Sequence, residues 1–166
     1  MTHSQKTANG QGATQLPLYE RTHLSRSGTL RLASPGKQSK GYKPNGLWYE
    51  VNGDWRRWCV DNQLDWLTKR FLYRLTISPD VRLLTIGDTA SLDRFHSEYK
   101  IAVKYWTFQT ELIDWRKVAE RYDGIEIAPY IWERRLESRW YHSWDCASGC
   151  LWETRGTTVE LLEVLP

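Results

Sequence analysis

The chain has 166 residues, of which 40% are hydrophobic and 26% charged, and its formal net charge is +3. A chain of this length fits one domain, which buries about 70% of the surface of its unfolded state and needs neither disulfides nor a metal to fold. No apolar run approaches the ~20 residues of a membrane-spanning helix, and no signal-peptide pattern opens the sequence. We therefore exclude transmembrane, secreted disulfide-rich, collagen-like and fully disordered proteins, and we expect a cytoplasmic protein without a membrane partner.

The amino-acid composition of the N-terminal part changes near residue 15 and again near residue 25. Residues 1–15 contain almost no apolar side chain and are predicted to be a disordered leader, so a single domain is expected over residues 16–166. A strand is predicted at 18–24. Residues 25–45 are rich in Gly, Pro, Ser and Lys, which predicts a long loop, with a short strand at 29–33.

The middle of the chain predicts strands more clearly than helices. A strand is expected at 46–51 between two Asn-Gly turns, and Asp54 is predicted to cap a helix that ends near residue 62. Alternating apolar residues predict a strand at 71–77, and another short strand follows at 81–86. Residues 89–99 and 101–110 are expected to be helical or irregular.

The C-terminal third contains the clearest helical pattern, which starts after a predicted cap at Asp114. Apolar side chains recur there at helical spacing, at Trp115, Val118, Ala119 and Tyr122. Strands are predicted at 124–128 and 157–164, separated by an aromatic stretch at 140–152 without a clear period. Strands outnumber helices and do not alternate with them strictly, which predicts an α+β domain with a mainly antiparallel, split sheet and flanking helices.

The basic residues are unevenly distributed. Residues 21–46, called the basic segment below, contain six basic residues and no acid: Arg21, Arg26, Arg31, Lys37, Lys40 and Lys43. Residues 47–166 contain 16 basic and 19 acidic residues. A basic segment on a slightly acidic body indicates contact with phosphates of a nucleic acid or a nucleotide, and a merely solvated basic loop is the alternative.

Two compositional features concern possible sites. Ten Trp and nine Tyr against three Phe are typical of a dense core, of a ring-stacking pocket, or of both. His142, Cys146 and Cys150 have the spacing H-x3-C-x3-C, which permits a zinc site if Cys59 supplies a fourth ligand. We instead expect three reduced, buried cysteines and no metal, because one ligand would have to come from a distant position.

Motifs with well-known chemistry are absent from the sequence. It contains no phosphate-binding GxxxxGKS/T, no GxGxxG, no HExxH and no GxSxG. The four His are scattered, so no local Ser-His-Asp or Cys-His arrangement is predicted. Hydrolytic mechanisms are therefore not favoured.

Two sequence blocks combine residues that suit a nucleotide. Residues 43–49 place Lys43 beside Trp48 and Tyr49, a cation and two aromatic faces that suit a phosphate-linked ring; a strand with a core Trp is the alternative. Residues 144–153 place Asp145 and Glu153 around small residues, where either carboxylate could bind a ribose or stabilise a developing cation. A Trp-clamped turn in which Asp145 caps backbone N–H groups is equally compatible.

A third block, Y-D-G-I-x-I-A-P-Y at 122–130, predicts a helix end followed by a strand on which Glu126 can face either way. Together with K-P-x-G-L-W at 43–48 and W-D-C-A-S-G-C-L-W at 144–152, it resembles a family of small proteins, some of them phage-encoded. The order of the first two strands is similar to that of the ADP-ribosyltransferase fold.

This resemblance implies a set of NAD-binding residues. The first strand would hold the adenosine ribose through Tyr19 and Arg21 or His23. The second motif would lie beside nicotinamide and contains Gly46, Leu47, Trp48 and Tyr49. Asp145 or Glu153 would supply the catalytic acid. The NAD phosphates would be bound by the basic segment, including Lys43, as the composition of the 43–49 block suggests.

The expected function is therefore NAD-dependent transfer of ADP-ribose to a protein or nucleic-acid acceptor, with NAD as the substrate. The chain lacks the E-x-E or Q-x-E pattern near its last strand. A non-enzymatic nucleic-acid-binding or phage accessory protein, or an inhibitor of a host enzyme, consequently stays open as the alternative.

Overall fold

The fold is described from a computed structural model that covers residues 19–34, 37–64, 70–104, 106 and 109–165. The strands in this part of the chain are β1 (Arg21–Ser25), β2 (Lys40–Gly41), β3 (Leu47–Val51), β4 (Phe71–Ile77), β5 (Leu83–Ile86), β6 (Lys100–Lys104), β7 (Gln109–Asp114), β8 (Gly124–Ile127), β9 (Ser148–Leu151) and β10 (Thr157–Val164). The helices are α1 (Asp54–Asp61), α2 (Thr89–Tyr99), α3 (Trp115–Arg121) and α4 (Arg139–His142). The predicted leader, 1–15, lies outside the described residues.

The strands form two sheets in one α+β domain. The larger sheet has the order β10-β4-β1-β3-β9-β8-β5, and the smaller has the order β2-β7-β6. Among the described strands, β5 and β8 are the one parallel pair, and the other pairs are antiparallel. The prediction of a mainly antiparallel, split sheet is therefore confirmed at this level.

Local sequence explains the regular elements. In β4, Tyr73 and Leu75 are buried on one face, whereas Arg74 and Thr76 on the other face are exposed. Helix α2 begins with a capping box in which the Asp88 side chain accepts from the Ser91 N–H. Leu92, Phe95 and Tyr99 then fall on one helical face and are buried.

The core is dominated by indole rings. Trp115, Trp140, Trp144 and Trp152 are buried, the first three at 0–1% exposure. Phe95 lies between two of them, with ring centres 5.8 Å from Trp115 and 5.4 Å from Trp140. Each such ring buries a large apolar area, so four Trp supply much of the core that a domain of this size needs.

Several predicted elements are wrong in detail. The helical or irregular stretch expected at 101–110 contains β6 and the start of β7, and the strand expected at 29–33 is not present among the described residues. Asp54 is the first residue of α1 and not its cap. Gly53 takes that position with φ +73°, a backbone conformation that glycine adopts without strain. Asp114 does precede α3, but its carboxylate binds the Arg116 guanidinium and caps no N–H.

Within the described residues, no helix is both long enough and apolar enough to cross a membrane.

Candidate functional site

A cavity of about 240 Å³ opens beside β1 and β3 and extends to the turn before β9. Three Trp contribute to its wall: Trp48 from β3, Trp55 from α1 and Trp144 from that turn. Trp48 meets Trp144 edge to face, with ring centres 4.9 Å apart, and Trp144 is almost completely buried. Trp48 and Trp55 are only half-buried, so parts of both rings remain open to an occupant. The surplus of Trp thus serves both the core and a cavity.

Glu50 is a buried carboxylate in this wall that sequence reasoning did not select. It is 3% exposed and accepts hydrogen bonds from Thr22 Oγ1 at 2.7 Å and from Arg56 Nε at 2.6 Å. These charge-assisted bonds compensate its burial. The alternation of β3 is the signal that could have found it, because residues 48 and 50 of a strand share one face.

The first turn of α1 is attached to the cavity by three consecutive residues. The Asp54 carboxylate accepts from the Ala147 N–H at 2.7 Å, Trp55 forms part of the wall, and Arg56 binds Glu50 through both its backbone N–H and its guanidinium. One prediction from the sequence was that Asp145 caps backbone N–H groups in the 144–153 block. In the structure, the Ala147 N–H of this block donates to the Asp54 carboxylate.

Asp145 lies in the cavity wall and has few partners. Its carboxylate is half-buried and forms one long contact, 3.5 Å, with the Arg135 guanidinium. Glu50, by comparison, is held by three shorter bonds. Asp145 is therefore the cavity carboxylate with the most acceptor capacity left for an occupant.

Lys43 and His23 are two further predicted site residues that line the cavity. The Lys43 ammonium lies 5.1 Å from the centre of the Trp48 ring, within the range of a cation–π contact, and the side chain is exposed. His23 Nδ1 lies 2.6 Å from the Trp48 carbonyl oxygen, which can only accept, so this nitrogen carries the proton and donates. Burial lowers the pKa of His23, although the bond to Trp48 raises it.

Arg21 and Tyr19 do not border the Trp-lined cavity. Arg21 is buried and binds Glu126 through two bonds, Nε to Oε2 at 2.6 Å and Nη2 to Oε1 at 2.9 Å. The Tyr49 hydroxyl donates to the same carboxylate at 3.0 Å, and burial, followed by the charge of Glu126, raises the pKa of Tyr49. Tyr19 and Arg21 border a second cavity, which at about 410 Å³ is larger than the Trp-lined one. Tyr49 contacts both regions, because it also borders the Trp-lined cavity.

Gly46, Leu47 and Glu153 do not border the Trp-lined cavity. A Cβ at Gly46 would lie 2.4 Å from the Leu151 carbonyl oxygen, so this glycine permits the close approach of β3 and β9. Leu47 lies opposite Leu151 in that pair and packs against the core. Hydrogen bonds from Arg155, followed by one from Ser34, lower the pKa of Glu153 to about 2.

The basic segment starts and ends at the cavity, because Leu24 and Lys43 both line it. Arg21 is neutralised by Glu126, which leaves five exposed cations: Arg26, Arg31, Lys37, Lys40 and Lys43. None of these five forms an ion pair with another residue of the described chain. Lys43, the one of these five that lines the cavity, is therefore available to an anion there.

The hypothetical zinc ligands are not assembled. His142 is exposed, whereas Cys59, Cys146 and Cys150 are buried free thiols. In the ranges that the structure covers, no three His, Cys, Asp or Glu side chains are close enough to hold a metal. Burial raises the pKa of Cys146 to about 12, so this thiol is neutral at pH 7.

Comparisons of the chain with protein-family models, with curated proteins and with solved structures give no match.

Proposed function

We propose that the protein binds a nucleotide, with one ring in the Trp-lined cavity and the phosphates against Lys43 and the basic segment. The observation that carries this proposal is the position of Lys43, whose ammonium contacts the Trp48 ring where the basic segment reaches the cavity. An aromatic wall suits the ring of such a ligand, and exposed cations suit its phosphates.

The size of the cavity limits what it can enclose. At about 240 Å³ it is smaller than the ~300–1,000 Å³ of pockets that enclose drug-sized ligands. One ring system fits inside, and a dinucleotide does not. The sugar and phosphates of the bound molecule would therefore lie outside the cavity, along the exposed basic segment.

The charges favour an anionic ligand over a cationic one. A cage of aromatic rings with a carboxylate is also suited to alkylammonium groups. Here, however, the ammonium of Lys43 already lies over Trp48, in the position that an alkylammonium ligand would take against this ring. A ligand that combines a ring with phosphates can instead place a phosphate against Lys43.

Among nucleotides we propose NAD, in accordance with the sequence resemblance, and ADP-ribosyl transfer as the reaction. Nicotinamide would occupy the cavity. The bond between its nitrogen and ribose C1′ would break with the electron pair leaving on nicotinamide, and an acceptor nucleophile would attack C1′ and lose its proton. Asp145 is the proposed carboxylate that offsets the positive charge developing at C1′, because Glu153 does not border the cavity.

The proposal is tested by following intrinsic Trp fluorescence during titration with NAD. Wild-type protein should show saturable quenching, and Trp48→Ala should lose it. Trp132→Ala is the control, because Trp132 is 63% exposed and does not border the cavity. Nicotinamide release should then fall in Asp145→Asn and not in Glu153→Gln. Equal NAD binding by folded Trp48→Ala and wild-type protein would remove the cavity from the proposal.

Single-stranded nucleic acid is a second candidate, favoured by the five exposed cations of the basic segment. Here the cavity would take one unstacked base and the segment would follow the phosphate backbone. Such binding weakens steeply with salt and needs no carboxylate chemistry. Quenching by an oligonucleotide but not by NAD would select this candidate.

A further inference from the structure

Trp55 and Trp58 form a pair of stacked indole rings on helix α1. Their ring centres are 5.0 Å apart, and the planes of the two rings differ by 14°. The residues are three positions apart, which places their side chains on the same face of the helix. Trp55 lines the Trp-lined cavity, whereas Trp58 does not border it. The stack therefore continues the aromatic wall along α1, beyond the cavity.

This pair lies outside the hydrophobic core. Trp48 packs against the core cluster, whereas neither Trp55 nor Trp58 is among the described side chains that do so. Both residues of the pair are half-buried, and Trp55 is the one ring that contacts Trp58 among the described residues. Core packing therefore does not explain two large apolar rings at this position, and apolar surface of this kind is typical of a binding site.

The indole N–H groups separate the same two classes of Trp. In the core, Trp115, Trp140 and Trp152 donate to acceptors within the fold at 3.1, 2.9 and 2.7 Å. The N–H groups of Trp55 and Trp58 donate to no described residue, and neither is among the described polar atoms that are shielded from solvent without a partner. Both N–H groups are therefore reached by solvent, and so can be reached by a ligand.

A nucleotide with a second ring needs a binding surface outside the cavity. The cavity, at about 240 Å³, takes one ring system and leaves the rest of the molecule outside. Aromatic side chains bind such rings by stacking, whichever base it is, because every base has a π-face. The face of Trp58 that Trp55 does not cover is a surface of this kind, and it is continuous with the cavity wall through the stacked pair.

We propose that Trp58 binds a second aromatic ring of the ligand by stacking on the face opposite Trp55. This inference rests on the proposed nucleotide function and specifies the class of ligand, which has two rings joined through phosphates. Because two indoles lie between the rings, their centres are roughly 15 Å apart if each stacking contact spans about 5 Å. Neighbouring stacked bases are only about 3.4 Å apart, so the linker is extended NAD or a strand with an intervening nucleotide.

The test measures binding by isothermal titration calorimetry with ligands that contain one ring or two. Nicotinamide mononucleotide is compared with NAD. A trinucleotide with thymine at both ends and an abasic middle unit is compared with one in which an end is also abasic, so the phosphates stay equal. In the wild-type protein the two-ring ligand of at least one pair should bind about tenfold more tightly, the gain expected from one stacked base. The pair that shows the gain distinguishes a dinucleotide site from a single-strand site.

Variants at Trp58 assign this gain to its ring. Trp58→Leu should abolish the gain, while the one-ring ligand keeps its affinity because it binds in the cavity. Trp58→Phe keeps a stacking ring and should retain most of the gain. Trp132→Leu is the control, because Trp132 is 63% exposed and does not border the cavity, and it should change neither affinity. Thermal unfolding reports whether each variant is folded.

The outcomes separate this inference from the proposed function. Equal binding of the one-ring and two-ring ligands to the wild-type protein overturns the inference and leaves a ring-binding cavity. A folded Trp58→Leu that retains the gain also overturns it. If Trp58→Leu does not fold, Trp58→Phe decides, because the extra fluorescence quenching caused by the two-ring ligand must disappear with the Trp58 indole. If none of the four ligands binds at millimolar concentration, the proposed function fails and the inference fails with it.

Discussion

Tyr49 and Gly149 lie opposite each other in the β3–β9 pair, and the Tyr49 ring occupies the space that a side chain at position 149 would need. A Cβ at Gly149 would be 2.2 Å from Tyr49 Cζ and 2.8 Å from the Ile125 carbonyl oxygen. This absence of a side chain lets the Tyr49 hydroxyl reach Glu126 on the next strand. The buried polar cluster of Arg21, Glu126 and Tyr49 therefore depends on a glycine two strands away from Arg21.

We expect Gly149→Ala to destabilise the fold by about 1–3 kcal/mol or more, because the added methyl group overpacks the β3–β9 pair and displaces the Tyr49 ring. Urea unfolding followed by circular dichroism measures the loss. Gly87→Ala is the matched control, because a Cβ there meets its nearest atom at an ordinary 3.5 Å. Equal stability of the two variants would contradict the close contact.

The ion pair of Arg21 and Glu126 gives a second prediction. Arg21→Met should cost about 3–5 kcal/mol of unfolding free energy, since Glu126 is 2% exposed and would be left buried without its cationic partner. The double variant with Glu126→Gln should recover part of this loss, because the remaining amide is neutral. Arg74→Met removes an exposed pair with Glu160 and should cost less than about 1 kcal/mol. A small effect at both arginines would show that Arg21 is not a structural partner of Glu126.

Stability should fall as the pH drops below about 6.5, the ordinary pKa of histidine. Burial lowers the pKa of His96, although nearby Glu111 raises it, and His96 Nδ1 accepts the Trp140 N–H. Because the folded pKa lies below the unfolded one, the unfolded state binds more protons in this range, so acidification favours unfolding. His23, whose pKa is also lowered by burial, adds to the same slope.

The pH dependence is measured as unfolding free energy between pH 8 and pH 5. His96→Gln should flatten part of the slope, whereas His142→Gln, at an exposed position, should leave it unchanged. An unchanged slope in folded His96→Gln would contradict the assignment to His96.

Charge reversal in the basic segment tests the nucleic-acid candidate. The triple variant Lys37→Glu, Lys40→Glu, Lys43→Glu should weaken binding of a single-stranded oligonucleotide and lower the slope of log affinity against log salt by about 0.7 for each phosphate that the variant no longer neutralises. A control variant with Lys104→Glu and Lys117→Glu changes exposed cations outside the segment. If both variants bind like the wild-type protein, the basic segment does not contact the nucleic acid.

Local sequence was sufficient for elements whose side chains show a clear period. The alternation at 71–77 and the β-rich composition at 157–164 predicted β4 and β10 with the bounds observed. Residues 101–110 were expected to be helical or irregular because short apolar runs fit either kind of element. Their strand character depends on pairing within the smaller sheet, where β7 lies between β2 and β6.

The candidate site was predictable only in part, because a cavity is formed by distant pairings. Lys43 and Trp48 share one block, and the structure brings them together with Asp145 from another. Glu50 was missed because nothing local shows that Thr22 and Arg56 would bind its carboxylate. Glu153 looked equivalent to Asp145 in the sequence, but Arg155 and Ser34 hold it outside the cavity.

The first turn of α1 connects the cavity to the rest of the fold through Asp54, Trp55 and Arg56. Because these three residues are consecutive, unwinding of the turn would release the Asp54 bond to the Ala147 N–H, the Trp55 part of the wall and the Arg56 bonds to Glu50 together. The wall of the cavity therefore depends on a single helical turn.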